Sequence, residues 1–271
     1  MTYKYLLFDF DGTIVDTVPL ILESFQHVYV ELTGQKTDDA FILSTIGEPM
    51  EKAFTRLPAH MLTTALEKYI AYNALHIKSK VDLFDGIAEA LAELKDLGAM
   101  TGLVTSKRKD SALVTIEQFD LAKYFDVLVF REDTKEHKPL PQPIYKGIEL
   151  LENILMEKNP AEPAMINTGI EKYIEKNIEK GISEGIKKDI RKGIDKDISE
   201  GIRKGIRKGI RKEEVIYVGD SVHDLLSAKN AQVDFALVSW TKMDLAPINE
   251  AGIYHLVETP EALADLVGRK N

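Results

Sequence analysis

The stretch YLLFDFDGTIVDT, residues 5 to 17, begins as an apolar run and then places two acids close together. In a strand successive side chains alternate faces, so Asp9 and Asp11 share one side while Phe8 and Phe10 take the other. Two carboxylates at this spacing beside apolar surface repel each other and are poorly solvated. A bound cation offsets that cost, and Mg²⁺ is held by carboxylates together with water and substrate phosphate. The pattern predicts a cation site at a strand end, with simple solvation of that end as the alternative.

The composition is that of an ordinary globular protein. The chain has 271 residues, 44% of them hydrophobic and 29% charged, which is enough to bury a sizeable core. It contains no cysteine, which excludes disulfides and thiolate metal sites. No basic-flanked apolar leader and no membrane-spanning run is found, so we expect a cytoplasmic protein without a membrane partner. The net charge of −9 argues against nucleic-acid binding by the whole chain.

Short apolar runs alternate with helical segments along the chain. The five strand candidates are residues 5–10, 101–106, 125–130, 215–220 and 235–240. This alternation predicts an α/β fold, with a parallel sheet covered by helices on both faces. Ligands bind such sheets at the carboxyl ends of the strands. Three candidates carry polar residues there, namely Asp9 with Asp11, Thr105 with Ser106, and Asp220.

The segment from residue 17 to residue 81 contains helical periodicity but no convincing strand. It includes two amphipathic stretches, VPLILESFQHVYVELTG and LPAHMLTTALEKYIAYNALHIK. About 65 residues exceed what one helical crossover between neighbouring strands needs, since a complete crossover takes roughly a dozen or more. We therefore predict a small helical domain inserted between the first two strands, standing over the carboxyl edge of the sheet. Asp16, just before it, is expected to cap the first helix and act as a hinge, with a part in catalysis as the alternative.

A second interruption is repetitive. From Ile170 to Ile210 an isoleucine occurs at every fourth position, eleven times, and seven of the preceding residues are glycine. Four residues advance a helix by about 400°, so the stripe drifts by about 40° per repeat. Residues 170–212 hold 14 basic and 8 acidic side chains, a net charge of +6. We predict a long, marginal helix within an insertion of about residues 156–212, either a tolerated repeat expansion or a surface for self-association.

Four short motifs occur in a fixed order: DFDGT at 9–13, VTS at 104–106, KP at 138–139 and GDSVHD at 219–224. Together they resemble the haloacid dehalogenase (HAD) superfamily, in its phosphatase branch with a helical cap. The resemblance implies a Rossmann-like three-layer core with about five parallel strands. The core would comprise residues 1–16 and 82–271, and the cap residues 17–81. It also implies Mg²⁺ and a phospho-aspartate intermediate.

The resemblance assigns chemically sensible roles to the motif residues. Asp9 would be the nucleophile, because a carboxylate can accept a phosphoryl group and release it to water. Asp11 would give a proton to the leaving oxygen and later take one from water. Thr105 would hydrogen-bond the phosphoryl oxygens, and Lys138 would stabilise the transferring charge, with Lys135 as its nearby competitor.

Further residues are implied in phosphate and metal binding. Gly12 and Thr13 would turn the chain so that backbone N–H groups face the phosphate. Ser106 would add a hydroxyl beside Thr105, unless it only caps the next helix. The implied magnesium ligands are carboxylates from both ends of the chain, with the last of them binding directly or through water: Asp9, Asp11, Asp220 and Asp224.

The cap segment IGEPMEKAF, residues 46–54, is similar to the specificity loop of phosphoglycolate phosphatases and related bacterial pyrophosphatases. Glu48, Met50 and Arg56 would then face the substrate. The expected activity is hydrolysis of a small phosphorylated metabolite, such as a phosphoglycolate-like monoester, or of pyrophosphate. The alternatives are a sugar-phosphate mutase of the same branch and a non-enzymatic interaction protein that acts through its basic repeats.

Overall fold

The computed structural model describes residues 2–46, 49–158, 209–243, 248 and 255–268. Two compact units divide the chain: Met1–Leu151 together with Lys212–Asn271, and Glu152–Arg211. The sheet, the helical cap and the candidate site all belong to the first unit. Most of the second unit, including nearly all of the repeats, lies outside the described residues, so the prediction for the insertion stays a prediction.

A six-stranded parallel sheet forms the centre of the first unit. In chain order its strands are β1 (Tyr5–Phe8), β4 (Met100–Val104), β5 (Val127–Val129), β6 (Val215–Gly219), β7 (Asp234–Val238) and β8 (His255–Val257). Their order across the sheet is β5-β4-β1-β6-β7-β8. All five neighbouring pairs are parallel. The predicted α/β class is confirmed, with one more strand than expected.

Helices follow or precede these strands. They are α1 (Val18–Thr33), α2 (Asp39–Ser44), α3 (Leu62–Lys80), α4 (Ile87–Asp96), α5 (Lys109–Gln118), α6 (Gln142–Lys158), α7 (Val222–Ala231) and α8 (Leu263–Val267). Because layers cover both faces, strand β1 is buried on both sides, and Leu6, Leu7 and Phe8 are each 0% exposed. None of the described helices is long and apolar enough to cross a membrane.

The cap has an apolar cluster of its own. Buried side chains of α1, α2, α3 and the short helical turn Met50–Phe54 pack on one another. At its centre the ring of Phe25 lies 5.0 Å from Phe54 and 4.3 Å from Tyr69 between centroids. This separate cluster is consistent with an inserted helical domain, whose boundaries remain a prediction.

The chain enters and leaves the cap through a two-stranded antiparallel ribbon. Strands β2 (Val15–Asp16) and β3 (Asp82–Leu83) form it, with Asp16 opposite Asp82. The prediction that Asp16 caps the first helix is wrong. Thr17 takes the cap position without a side-chain hydrogen bond, and Asp16 instead forms an ion pair with Lys242 from beyond β7. A long-range partner outcompetes the local cap here.

Candidate active site

Asp9 and Asp220 extend from the carboxyl ends of two adjacent strands. Phe8 of β1 is in register with Val218 of β6, and the Asp9 amide donates to the Val218 carbonyl at 2.9 Å. The residues that follow the two strands are thereby brought side by side. One carboxylate oxygen each of Asp9, Asp220 and Asp224 lies within 4.8 Å of the others, and all three residues are buried. The expected meeting of the chain's first and last motifs is therefore observed.

Lys138 bridges two of these acids. Its ammonium lies 2.6 Å from Asp9 Oδ1 and 2.8 Å from Asp224 Oδ1, in a side chain that is almost fully buried. Burial works against the charged form, but Asp224 and Asp9 raise the pKa of Lys138. For Asp224, burial alone would raise the pKa, but the charge and hydrogen bond of Lys138 outweigh burial and lower it. The pair is therefore ionised.

The cluster carries more negative than positive charge. Burial, reinforced by the charge of Asp224, raises the pKa of Asp9 to about 7. Burial, together with the charges of Asp224 and Asp9, raises the pKa of Asp220 well above its ordinary value. One ammonium thus faces three carboxylates, so the cluster has less positive than negative charge. A hard divalent cation fits this all-oxygen donor set.

Asp224 is oriented by the start of helix α7. Ser221 caps this helix, accepting from the Asp224 amide at 3.2 Å, while its own hydroxyl donates to Asp224 Oδ2 at 2.6 Å. The hydroxyl of Tyr217 lies 2.9 Å from the Val104 carbonyl oxygen and 3.3 Å from Asp224 Oδ1, and its single proton is shared between these two acceptors. Both oxygens of Asp224 are therefore engaged by the protein. Asp224 in turn holds the Lys138 ammonium in place through its Oδ1.

Gly12 allows Asp220 to approach the first motif. Its φ of +80° is in the left-handed region, and a Cβ atom built there would lie 2.0 Å from Asp220 Oδ2. Thr13 donates to Asp220 Oδ1 at 3.5 Å, and Thr241 donates to Oδ2 at 2.6 Å. The turn at Gly12 and Thr13 therefore positions the Asp220 carboxylate, in addition to the phosphate-binding role that the sequence predicts.

We expect Gly12→Ala to destabilise the protein more than the same change at Gly34. Gly34 has a similar φ of +76°, but a Cβ there meets no atom within 4 Å. Gly34→Ala should cost about 1–2 kcal/mol for the left-handed backbone alone. Gly12→Ala should cost about 1–3 kcal/mol more because the methyl group overlaps Asp220. Urea unfolding of both variants measures the difference, and equal losses would show that Asp220 is not constrained by this glycine.

Asp11 does not join the three-carboxylate cluster. Its Oδ1 accepts a hydrogen bond from Lys107 at 2.8 Å, and both side chains are largely buried at the edge of a cavity. The resemblance implies Asp11 as a metal ligand and as a proton donor, and its side chain is not part of the oxygen cluster formed by Asp9, Asp220 and Asp224. Lys107 was not predicted. It directly follows the motif VTS, yet a lysine in a loop carries no sequence signal that separates it from solvated surface.

Thr105 and Ser106 lie at the carboxyl end of β4 and line the same cavity as Asp9. Thr105 accepts a hydrogen bond from the Lys107 amide at 3.1 Å through its Oγ1. The buried Ser106 hydroxyl has no hydrogen-bond partner within the described part of the chain. It is available to a bound group.

The three cap residues predicted to face the substrate have different outcomes. Met50 lines the cavity. Glu48 lies outside the described residues. Arg56 is not at the cavity: its guanidinium stacks on Phe41 at 3.9 Å and donates to Thr37 at 3.4 Å. Its role is explained by packing within the cap.

The cavity lies between the cap and the carboxyl edge of the sheet and has a volume of about 290 Å³. Asp9, Asp11 and Asp220 line one end of it, and side chains of α1 and α3 line the other. The carboxylates of Asp9, Asp11 and Asp220, the hydroxyls of Thr105 and Ser106 and the ammonium of Lys107 thus border one small cavity. This set of groups is suited to phosphoryl transfer.

The chain belongs to the haloacid dehalogenase-like hydrolases. The model of that family, described as haloacid dehalogenase-like hydrolase, matches residues 6–166 and 195–238. The chain is thus a hydrolase of the phosphatase branch, as its motifs indicate.

The chain is also similar to individual proteins of known name or structure. A protein named Pyrophosphatase PpaX from Halalkalibacterium halodurans is 25% identical over 270 residues, which is 100% of this chain and 99% of the relative. A protein from Caldanaerobacter subterraneus subsp. tengcongensis that also carries the PpaX name is 31% identical over 241 residues, covering 89% of this chain and 84% of the relative. The solved structure of a predicted phosphoglycolate phosphatase from Haemophilus somnus has the same fold, with a TM-score of 0.69 at 15% identity over 98% of each chain.

Proposed function

We propose that this chain is a Mg²⁺-dependent phosphatase that hydrolyses a small phosphorylated compound, a monoester or pyrophosphate, through a phosphoryl group carried on Asp9. The observation that carries the proposal is the position of the Asp9 carboxylate. It borders the cavity while Lys138 holds it at 2.6 Å and Asp220 lies beside it. The relatives named PpaX support a phosphate-releasing activity, because their similarity extends over 89% or more of this chain.

The first step is transfer of the phosphoryl group to the protein. A carboxylate oxygen of Asp9 attacks phosphorus, and the bond from phosphorus to the leaving oxygen breaks. Asp11, which borders the same cavity, gives that oxygen a proton from its Oδ2, since its Oδ1 accepts from Lys107. Lys107 holds Asp11 at 2.8 Å and so fixes its position relative to the leaving group.

The second step returns Asp9 to its starting state. Water gives a proton to Asp11 as its oxygen bonds to phosphorus, and the bond between phosphorus and Asp9 breaks. Inorganic phosphate is released. Lys138, Thr105 and Ser106 stabilise the charge on the phosphoryl oxygens in both steps, because they are fixed in place before the reaction.

Asp9, Asp220 and Asp224 are the residues that would hold Mg²⁺. When bound, the ion would supply positive charge that stabilises the phosphoryl oxygens. The buried excess of carboxylates over ammonium groups is what makes the site suited to it.

The proposal is tested by incubating the protein with phosphoglycolate and with pyrophosphate, in Mg²⁺ and in EDTA, and measuring inorganic phosphate. We expect multiple turnovers in Mg²⁺ and none in EDTA. A mutase would instead move phosphate between positions of a sugar phosphate without release. Absence of both reactions, with salt-sensitive binding of a partner through the repeats, would favour the interaction protein.

A further inference from the structure

The cavity has two chemically different ends. Asp9, Asp11 and Asp220 form the acidic end, where the phosphoryl group would be transferred. The cap end is mainly apolar, and its wall is formed by Ile21, Phe25, Ile46, Met50, Ile70 and Ala74. A leaving group attached to a phosphate at the acidic end would project towards this wall.

The cations around the cavity already have acidic partners. Lys107 pairs with Asp11 at 2.8 Å. Arg108 pairs with Asp110 at 2.7 Å, and Arg131 pairs with Glu51 at 3.8 Å. Of the cavity-lining residues that the structure describes, these three are the cations. A second phosphate or a carboxylate on the leaving group would therefore have to compete with an acid of the protein for one of these cations, whereas an apolar leaving group would not.

The polar groups at the cap end are neutral. They come from Thr45, Tyr69 and Asn73. Thr45 donates to the Ile42 carbonyl at 2.7 Å, and Asn73 donates to Ser24 at 3.4 Å. Such groups orient an uncharged hydroxyl or ether oxygen rather than neutralise an anion.

We infer that the site prefers phosphate monoesters whose leaving alcohol carries a compact apolar group, such as an aryl ring, over pyrophosphate and phosphoglycolate. This inference rests on the proposed function, since it concerns the group that departs when Asp9 takes the phosphoryl group. The volume of about 290 Å³ limits the whole ester to a small molecule, because ligand cavities commonly measure about 300–1,000 Å³. Burial of the apolar group against α1 and α3 supplies the preference.

The direct test compares benzyl phosphate with ethyl phosphate, phosphoglycolate and pyrophosphate, each in Mg²⁺, through kcat/KM for phosphate release. Benzyl and ethyl esters both lose a primary alcohol, so their difference reports chiefly on the apolar group. We expect benzyl phosphate to exceed ethyl phosphate by at least about tenfold, which is within the roughly 10–200-fold range of apolar pockets. It should also exceed phosphoglycolate and pyrophosphate, whose leaving groups carry a negative charge of their own.

Two variants locate the effect, and a third serves as their control. Ile70→Asn places an amide in the apolar wall and should reduce the benzyl-to-ethyl ratio by at least about fivefold. Ala74→Phe is the second variant, for use if Ile70→Asn does not fold. Ala74 is an exposed helical position, so the larger side chain should be tolerated there. The added ring should fill the cap end of the cavity and reduce the benzyl-to-ethyl ratio. Leu75→Asn is the matched control, because Leu75 lies on the same helix and is 77% exposed. Its ratio should equal that of the unaltered protein.

The outcomes separate this inference from the proposed function. Phosphate release from all four compounds without a benzyl preference, or with pyrophosphate favoured, overturns the inference and leaves the phosphatase intact. No release from any of them overturns both. A benzyl preference that Ile70→Asn or Ala74→Phe removes, and Leu75→Asn retains, establishes the apolar wall as the specificity element.

Discussion

Replacing Asp9 with Asn is expected to reduce phosphate release by at least about 10³-fold, because the amide cannot serve as the nucleophile. The change keeps the shape of the side chain and removes one of three buried like charges. Lys138 retains Asp224 as its partner at 2.8 Å, so the variant should remain folded. Initial rates with the best substrate, measured at saturating Mg²⁺, provide the test.

The matched control is Asp120→Asn. Asp120 is exposed, and its backbone is left-handed with a φ of 51°, a conformation that Asn tolerates well. This variant should keep its full rate. Undiminished phosphate release by Asp9→Asn would remove Asp9 as the group that carries the phosphoryl intermediate.

The second large effect is expected at Lys138. Lys138→Met leaves Asp9 and Asp224 buried without their ammonium partner, and such a change costs about 3–5 kcal/mol of unfolding free energy. The rate should also fall by at least about 10²-fold, because a fixed positive charge near the phosphoryl oxygens is lost. Urea unfolding without divalent ions and initial rates measure the two effects separately.

Lys135→Met is the control for this substitution. Lys135 is exposed and precedes Lys138 by three residues, so the two changes differ in burial and not in chemistry. We expect Lys135→Met to shift the unfolding free energy by no more than about 0.5 kcal/mol. Equal effects at the two positions would mean that the ion pairs of Lys138 contribute nothing particular.

The meeting of Asp9 and Asp220 was predictable because parallel strands bring the residues at their carboxyl ends to one edge, although the two acids are some two hundred residues apart in the chain. Asp11, which strand alternation grouped with Asp9, lies beyond the end of β1 and contacts Lys107 instead of joining the cluster. The helical cap was predictable from its periodicity. Strand β8, with three residues and one exposed side chain, left too little pattern to detect.

The contacts that the sequence did not reveal depend on the tertiary structure. Lys107 and Thr241 contact Asp11 and Asp220, yet both lie in loops where their residue types are common. The ion pair between Asp16 and Lys242 joins residues 226 positions apart, which no local rule anticipates. Arg56 could be placed only once the packing of Phe41 in the cap was known.

The central claim is that a divalent cation offsets the repulsion among the buried carboxylates of Asp9, Asp220 and Asp224. The most direct measurement is the thermal unfolding midpoint of the unaltered protein and of Asp220→Asn, each with and without Mg²⁺. Without the ion, Asp220→Asn should be at least as stable as the unaltered protein, because it removes a buried like charge.

With Mg²⁺ the order should reverse. An ion at about 100 times its dissociation constant adds about 2.7 kcal/mol. For a chain of this size that corresponds to a rise of about 5–10 °C in the midpoint. The account predicts a saturable rise of this size for the unaltered protein and a much smaller one for Asp220→Asn. An identical response of both proteins to Mg²⁺, or none in either while phosphate release continues, would contradict it.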